Sequence, residues 1–318
     1  SMVFDFDSTV NEQHGRKMEG VRESKDGVWG LDTFQVFDEL GLQYWNEVRP
    51  GATFSAEDVS MVIHEILARM PKTKAFKNTR VFGRTDSAFC NINFFNACSA
   101  KQVHFVCTMR ENMFQPHVDK ILQWEPQRHK GDKRLRFYDG RECELGETCY
   151  RPENGAEVLR IVSIRAVKVG HEGVLLKNNT DYDHYSWVSN IGEHMMSGEK
   201  LIKFYRKRGH MENYIRELKY GFDLKHYPCL KLDANRVYGL IAAFAHNIIR
   251  FIALKDRPNS PQFSKAIRNR LLHLPAQIVR HARDVVFRFH EHFFKEVQHW
   301  LEVITNTKFV SCEETQTS

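Results

Sequence analysis

The chain has 318 residues, room for two domains of about 150 residues each. Its 42 % hydrophobic and 27 % charged residues are ordinary for a globular chain and exclude wholesale disorder and collagen-like repeats. A net charge of +6 suits a phosphate-bearing partner without requiring one. The seven cysteines (Cys90, Cys98, Cys107, Cys143, Cys149, Cys229 and Cys312) are odd in number and include no CxxC pair, which argues against a disulfide framework or a zinc ribbon and for a reducing compartment. The first residues hold no basic region followed by an apolar run, so no signal peptide is read there. The most apolar long stretch, 237–254, contains His246, Asn247 and Arg250, and is expected to be a buried or amphipathic helix with no role in a membrane.

The N-terminal part reads as alternating layers. Val3–Asp7 alternates apolar and acidic residues as a strand does, and Thr33–Asp38 and Leu42–Val48 complete a three-strand meander. Ser55 and the acids after it open a helix whose apolar positions run from Val59 to Met70. A strand at 79–82, a short helix near 91–100 and a strand at 103–108 follow, giving an α/β order. Residues 111–133 are polar and irregular, with a basic cluster that includes Arg128 and Lys130. From Leu135 to Trp187 the chain is rich in β-branched residues broken by glycine, with Val158–Val169 the clearest strand. Helical spacing returns at Ser197, a second helix covers 234–254, and a helical basic tail follows, with Val286, Phe289, Phe293, Trp300 and Ile304 as its apolar stripe.

The candidate chemistry begins with two carboxylates. Asp7 ends the first strand and Asp86 follows the fourth, and strand ends are where α/β sheets gather ligand-binding side chains. Paired carboxylates suit a hard cation such as Mg²⁺, although aspartate before serine is also a common turn or cap residue. A third carboxylate lies on the helix expected from Ser197. There Tyr205, Arg208, Glu212 and Lys219 stand at offsets 0, 3, 7 and 14, which returns all four to one face of a continuous helix. Such a face fits either solvent or a metal-bound phosphodiester.

These residues carry a resemblance. Tyr205-x2-Arg208-x3-Glu212-x6-Lys219 resembles the Y-(2)-R-(3)-E-(6)-K signature of a large group of bacterial insertion-sequence transposases. Phe6-Asp7-Ser8-Thr9 is similar to the first-aspartate segment of that group, and Arg84-Thr85-Asp86-Ser87-Ala88-Phe89 to its R-x-D-S-G-F segment, with Ala88 in place of the usual glycine. The likeness spans about residues 3–255. It implies a DDE enzyme with a ribonuclease H-like, retroviral-integrase-type catalytic core of class α/β. That core would occupy 1–110 and 193–257, interrupted by a β-rich insertion at 111–192 and followed by a helical basic region at 258–318. Asp7, Asp86 and Glu212 would be the catalytic and metal-holding triad, with Asp5 as an alternative first ligand one pleat earlier. The cofactor would be Mg²⁺, with Mn²⁺ as substitute, in a two-ion arrangement.

The resemblance further implies double-stranded DNA, both transposon ends and target, as partner, and a homodimer in the synaptic complex. The setting would be bacterial, cytoplasmic and nucleoid-associated. The chemistry would be nicking, hairpin formation at the transposon end, hairpin opening and strand transfer. Arg208 and Lys219 would clamp phosphates, Tyr205 would hydrogen-bond one, and Arg128 and Lys130, with Arg268, Arg270, Arg280, Arg283 and Arg288, would follow the backbone. Trp187 would hold a flipped base, a core tryptophan being the other reading. Relatives of this kind carry an N-terminal DNA-binding segment upstream of the first strand, and a truncated product without autonomous end recognition is the expectation for this sequence. A plain metal-dependent nuclease and an inactive or domesticated DNA-binding relic are the competing functions.

Overall fold

The computed structural model describes residues 1–15, 17–127, 135–173, 178–271, 273–281 and 283–305. The elements run β1 (Met2–Glu12), β2 (Arg22–Glu23), β3 (Trp29–Asp38), β4 (Gln43–Pro50), α1 (Val59–Ala68), α2 (Lys74–Lys77), β5 (Val81–Thr85), α3 (Ile92–Ala100), β6 (His104–Thr108) and α4 (Glu111–Val118). They continue with β7 (Trp124–Pro126), β8 (Glu144–Tyr150), β9 (Leu159–Val167), β10 (Tyr182–Ser189), α5 (Gly198–Arg206), α6 (Gly209–Gly221) and α7 (Leu232–Asp256). The tail holds α8 (Ser264–Leu271), β11 (Ala276–His281), β12 (Asp284–Phe289) and α9 (Phe294–Thr305). The protein is a mixed α/β fold with a large mixed sheet. It divides into two compact units, one of residues 1–8, 34–39 and 53–211, the other of 9–33, 40–52 and 212–318.

In the first unit the strand order is β3–β1–β5–β6–β10–β9–β8–β7. The β1, β5 and β6 strands are parallel, with α3 making the β5–β6 crossover, and β10 turns the sheet antiparallel by pairing Trp187 with Thr108. The strands expected as an insertion therefore extend this sheet through β10. Period-two alternation sorts the side chains of β1 and β5. Phe4 and Phe6 point to the face where Phe89, Phe94, Phe95 and Phe105 pack edge-to-face and stacked. Val3 and Phe82 point to the other, where Val106, Val162, Ile164, Trp187, Leu201, Ile202 and Tyr205 form one buried cluster beneath α5.

In the second unit α7 packs along β4. By length and composition α7 could also cross a membrane. Here its polar residues are tied to the β4 side: Asn247 accepts from the Gln43 amide and donates to the Gln43 carbonyl, each at 2.7 Å, and Arg250 Nε donates to Leu40 O at 2.6 Å. A Cβ at Gly239 would stand 2.8 Å from Asn46 Nδ2 and Val48 Cγ2, so glycine is what lets helix and strand approach this closely. Ile252, Ala253, Ile267 and Trp300 form a smaller core among α7, α8 and α9.

Three expectations are corrected. The helix expected from Ser197 is broken at Lys207–Arg208, where Arg208 N, His210 N and Met211 N donate to carbonyls three residues back. Three-residue turns keep the apolar spacing alive through the break, which is why the sequence reads as one helix. The tail is not continuously helical either, since β11 and β12 pair antiparallel from Ala276↔Phe289 to His281↔Asp284. Finally, α1 starts at Val59 after a left-handed Asp58, later than the Ser55 start read from the sequence.

Candidate active site

The site is built on the β1–β5 pair. Their parallel register sets Asp5 opposite Arg84 and Phe6 opposite Thr85, and Asp7 and Asp86 each follow one residue after the last pair. Neighbouring strands lie about 4.8 Å apart, and opposed residues share a face, so the two carboxylates converge where the strands end. Both are half-buried. Each also serves its own backbone: Asp7 Oδ1 accepts from Ser8 N at 2.9 Å, and Asp86 Oδ1 accepts from Ala88 N at 2.9 Å, capping the short 3₁₀ turn that follows.

Asp5 has a different environment. Arg84 Nε and Nη2 grip its two oxygens at 2.6 and 2.8 Å, and both side chains are almost fully buried. The remaining Arg84 nitrogen donates to Phe204 O at 2.9 Å and to Glu39 Oε1 at 3.3 Å. A bidentate, desolvated pair of this kind leaves Asp5 poorly suited to a metal. Both oxygens of the alternative first ligand are thus taken up by Arg84. The sequence signal was present, since Arg84 and Asp86 share a face by alternation as Asp5 and Asp7 do, but the pairing itself was not anticipated.

Arg208 follows α5 directly and turns inward. It is 8 % exposed, with Nη2 3.0 Å from Phe6 O and 3.4 Å from Asp7 Oδ1. Burial alone disfavours its charged form, yet Asp7 foremost, then Tyr205, Asp86 and Asp5, raise its pKa above the ordinary arginine value. Three carboxylates thus act on one guanidinium. The expected phosphate clamp stands beside Asp7, its Nη2 directed to Phe6 O and the Asp7 carboxylate. Tyr205 is also buried, its hydroxyl 3.5 Å from Thr108 Oγ1, and burial pushes its phenol pKa up. In this arrangement it fastens α5 to the end of β6 and does not present itself to a phosphate.

Trp187 is fully buried, its ring 4.8 Å from Tyr185 and 6.0 Å from Tyr205, so it has no face for a base; the flipped-base expectation is corrected to a core tryptophan. Arg128 and Lys130 lie outside the described residues. Glu212 is exposed in the first turn of α6 and belongs to the second unit. In that unit Lys219 Nζ donates to Thr9 Oγ1 at 2.8 Å, two residues along the chain from Asp7. Among the described residues no three His, Cys, Asp or Glu side chains are grouped to hold a metal. Asp7 and Asp86 offer carboxylate oxygens only, the donor type of Mg²⁺ and Mn²⁺.

A family description given as transposase DDE domain group 1 matches residues 1–308. No curated protein matches the chain.

Proposed function

The chain belongs to the transposase DDE domain group 1 family, and from that premise we propose a metal-dependent DNA transposase that uses Asp7, Asp86 and Glu212 as its catalytic carboxylates. The observation that supports the reading is the register of β1 on β5, which brings Asp7 and Asp86 to the ends of paired strands while Arg84 occupies Asp5. The catalytic core is ribonuclease H-like in this reading, with the β7–β10 strands as its insertion.

Two Mg²⁺ ions, or Mn²⁺ in their place, held by these carboxylates would supply Lewis-acid activation of the attacking oxygen and of the scissile phosphate. The protein's own part is preparation. Arg208 fixes the Asp7 carboxylate and sets a positive charge among the carboxylates at the strand ends. Arg84 pairs with Asp5 and so offsets the charge of a third carboxylate on the same face. Lys219, held on Thr9, supplies positive charge near the strand end for a phosphate. Arg128 and Lys130 add contacts to the duplex backbone without regard to sequence. The reaction we assign is nicking, a hairpin at the transposon end, its opening and strand transfer, carried out by a homodimer on the bacterial nucleoid.

The test is calorimetric titration with Mn²⁺, which needs no knowledge of the DNA ends. Binding weakened at least tenfold in both Asp86→Asn and Glu212→Gln supports a single shared site. Equal binding by the wild type and both variants sinks the triad.

A further inference from the structure

Away from the β1–β5 strand ends, the second unit holds an open cleft of about 290 Å³ between the last turns of α6 and the start of α8. On α6, Asn213, Arg216 and Tyr220 fall at helical spacing along one face; across the cleft stand Phe263, just before α8, and Lys265 and Arg268 on it. Tyr220 is 68 % exposed and Phe263 46 %, unusual for two aromatic rings beside one cavity. Neither the sequence motifs nor the family assignment accounts for these residues.

The charges around the rings are equally unusual. Arg216 donates to Asn213 Oδ1 and Arg268 Nη1 donates to Gly221 O at 2.7 Å, but among the described residues neither, nor Lys265, is paired with a carboxylate. Lys225 adds a fourth cation, its ammonium 5.7 Å from the Tyr220 ring centre. The one carboxylate in the wall, Glu217, is nearly buried and accepts from the Ser264 amide. The cleft is narrow at its base because Gly221 lacks a Cβ, which would stand 2.9 Å from Ser264 Oγ. Solvated charged faces ordinarily intersperse both signs. Here cations without acidic partners frame an apolar slot walled by exposed rings.

That combination is the chemistry of an unpaired nucleotide. Aromatic rings accept any base by stacking, and neighbouring cations hold the phosphates on either side. A duplex keeps its bases stacked inside and offers such rings nothing. We propose that the α6–α8 cleft binds an unpaired nucleotide of a DNA strand, its base against Tyr220 and Phe263 and its flanking phosphates on Arg216, Lys265 and Arg268. The choice of DNA as the source rests on the transposase reading.

The experiment measures fluorescence anisotropy of a labelled fifteen-residue thymidine oligonucleotide and of a duplex of equal length. Using the full chain in EDTA removes cleavage and metal binding from the readout. Tyr220→Ala combined with Phe263→Ala is expected to weaken single-strand binding at least fivefold and to leave duplex binding within twofold. Tyr220→Trp is expected to restore the single-strand affinity, which a merely structural role would not do. Arg216→Gln with Lys265→Gln is expected to weaken binding and to shallow its salt dependence by one to two phosphate contacts, a slope change of about 0.7 to 1.4 for a single strand. Unchanged single-strand binding in the aromatic variant overturns the proposal, and so does an equal loss on single strand and duplex. Displacement of the oligonucleotide by free thymidine monophosphate at equal nucleotide concentration also overturns it, because the ligand would then be a free nucleotide. Failure of the Mn²⁺ titration leaves this result untouched, so the two readings fail separately.

Discussion

Asp5 and Asp7 share a strand, a face and a chemistry, and differ in what stands opposite. Arg84 opposes Asp5 and closes on it; Asp7, one step past the last pair, instead has Arg208 Nη2 at 3.4 Å. The two positions should therefore respond differently to the same change. Asp5→Ala leaves a buried guanidinium without its partner and should cost about 3 to 5 kcal/mol of stability, measured by urea denaturation. Its Mn²⁺ affinity, in conditions where the variant is folded, should remain within threefold of wild type. Asp7→Asn should show the reverse, with stability changed by less than about 1 kcal/mol and Mn²⁺ binding lost. Arg208→Lys keeps a charge but not the fork that reaches Phe6 O, and about 1 to 2 kcal/mol of stability should go with it. The family was legible in the sequence from the motifs around Asp7, Asp86 and Glu212. The work of Arg84 and Arg208 was not, because motif spacing records which residues recur and says nothing of which way a guanidinium turns.

Among the elements, α7 shows how polar residues can sit inside an apolar helix. Asn247 satisfies both the amide and the carbonyl of Gln43, so Asn247→Ala should leave two backbone groups unpaired and lower stability by about 2 to 3 kcal/mol in the same denaturation assay. On β10, burial first, then Arg165 and Lys168, pull the His184 pKa down to about 4. The unfolded chain takes up a proton near pH 6.5, which the folded state refuses until about pH 4. Stability from this group is thus present above pH 6.5 and lost as pH falls through that window. His184→Gln should flatten the fall in melting temperature between pH 7 and pH 4.5 relative to wild type. The elements β1, α3, β6, β9 and α7 were legible from local periodicity, which suffices where one face is buried. The break between α5 and α6 was hidden by turns that preserve the spacing, and the β11–β12 hairpin by apolar residues whose intervals mimic a helix. Both depend on hydrogen bonds that a pattern of hydrophobic positions does not encode.

At the scale of the whole molecule, the β-rich stretch expected as an insertion joins the sheet of the first unit through β10 on β6, so it shares a core with the strands that carry Asp7 and Asp86. Its Trp187 lies in that core with Tyr138 at 6.5 Å, Tyr185 at 4.8 Å and Tyr205 at 6.0 Å. Three tyrosines around one shielded indole make an optical circuit: light absorbed by the phenols passes to the tryptophan, whose emission is blue-shifted by the absence of water. Subtracting the spectrum of Trp187→Phe isolates that signal from the other four tryptophans. Since Tyr205 closes the circuit from α5, the difference spectrum follows the seating of that helix without a label.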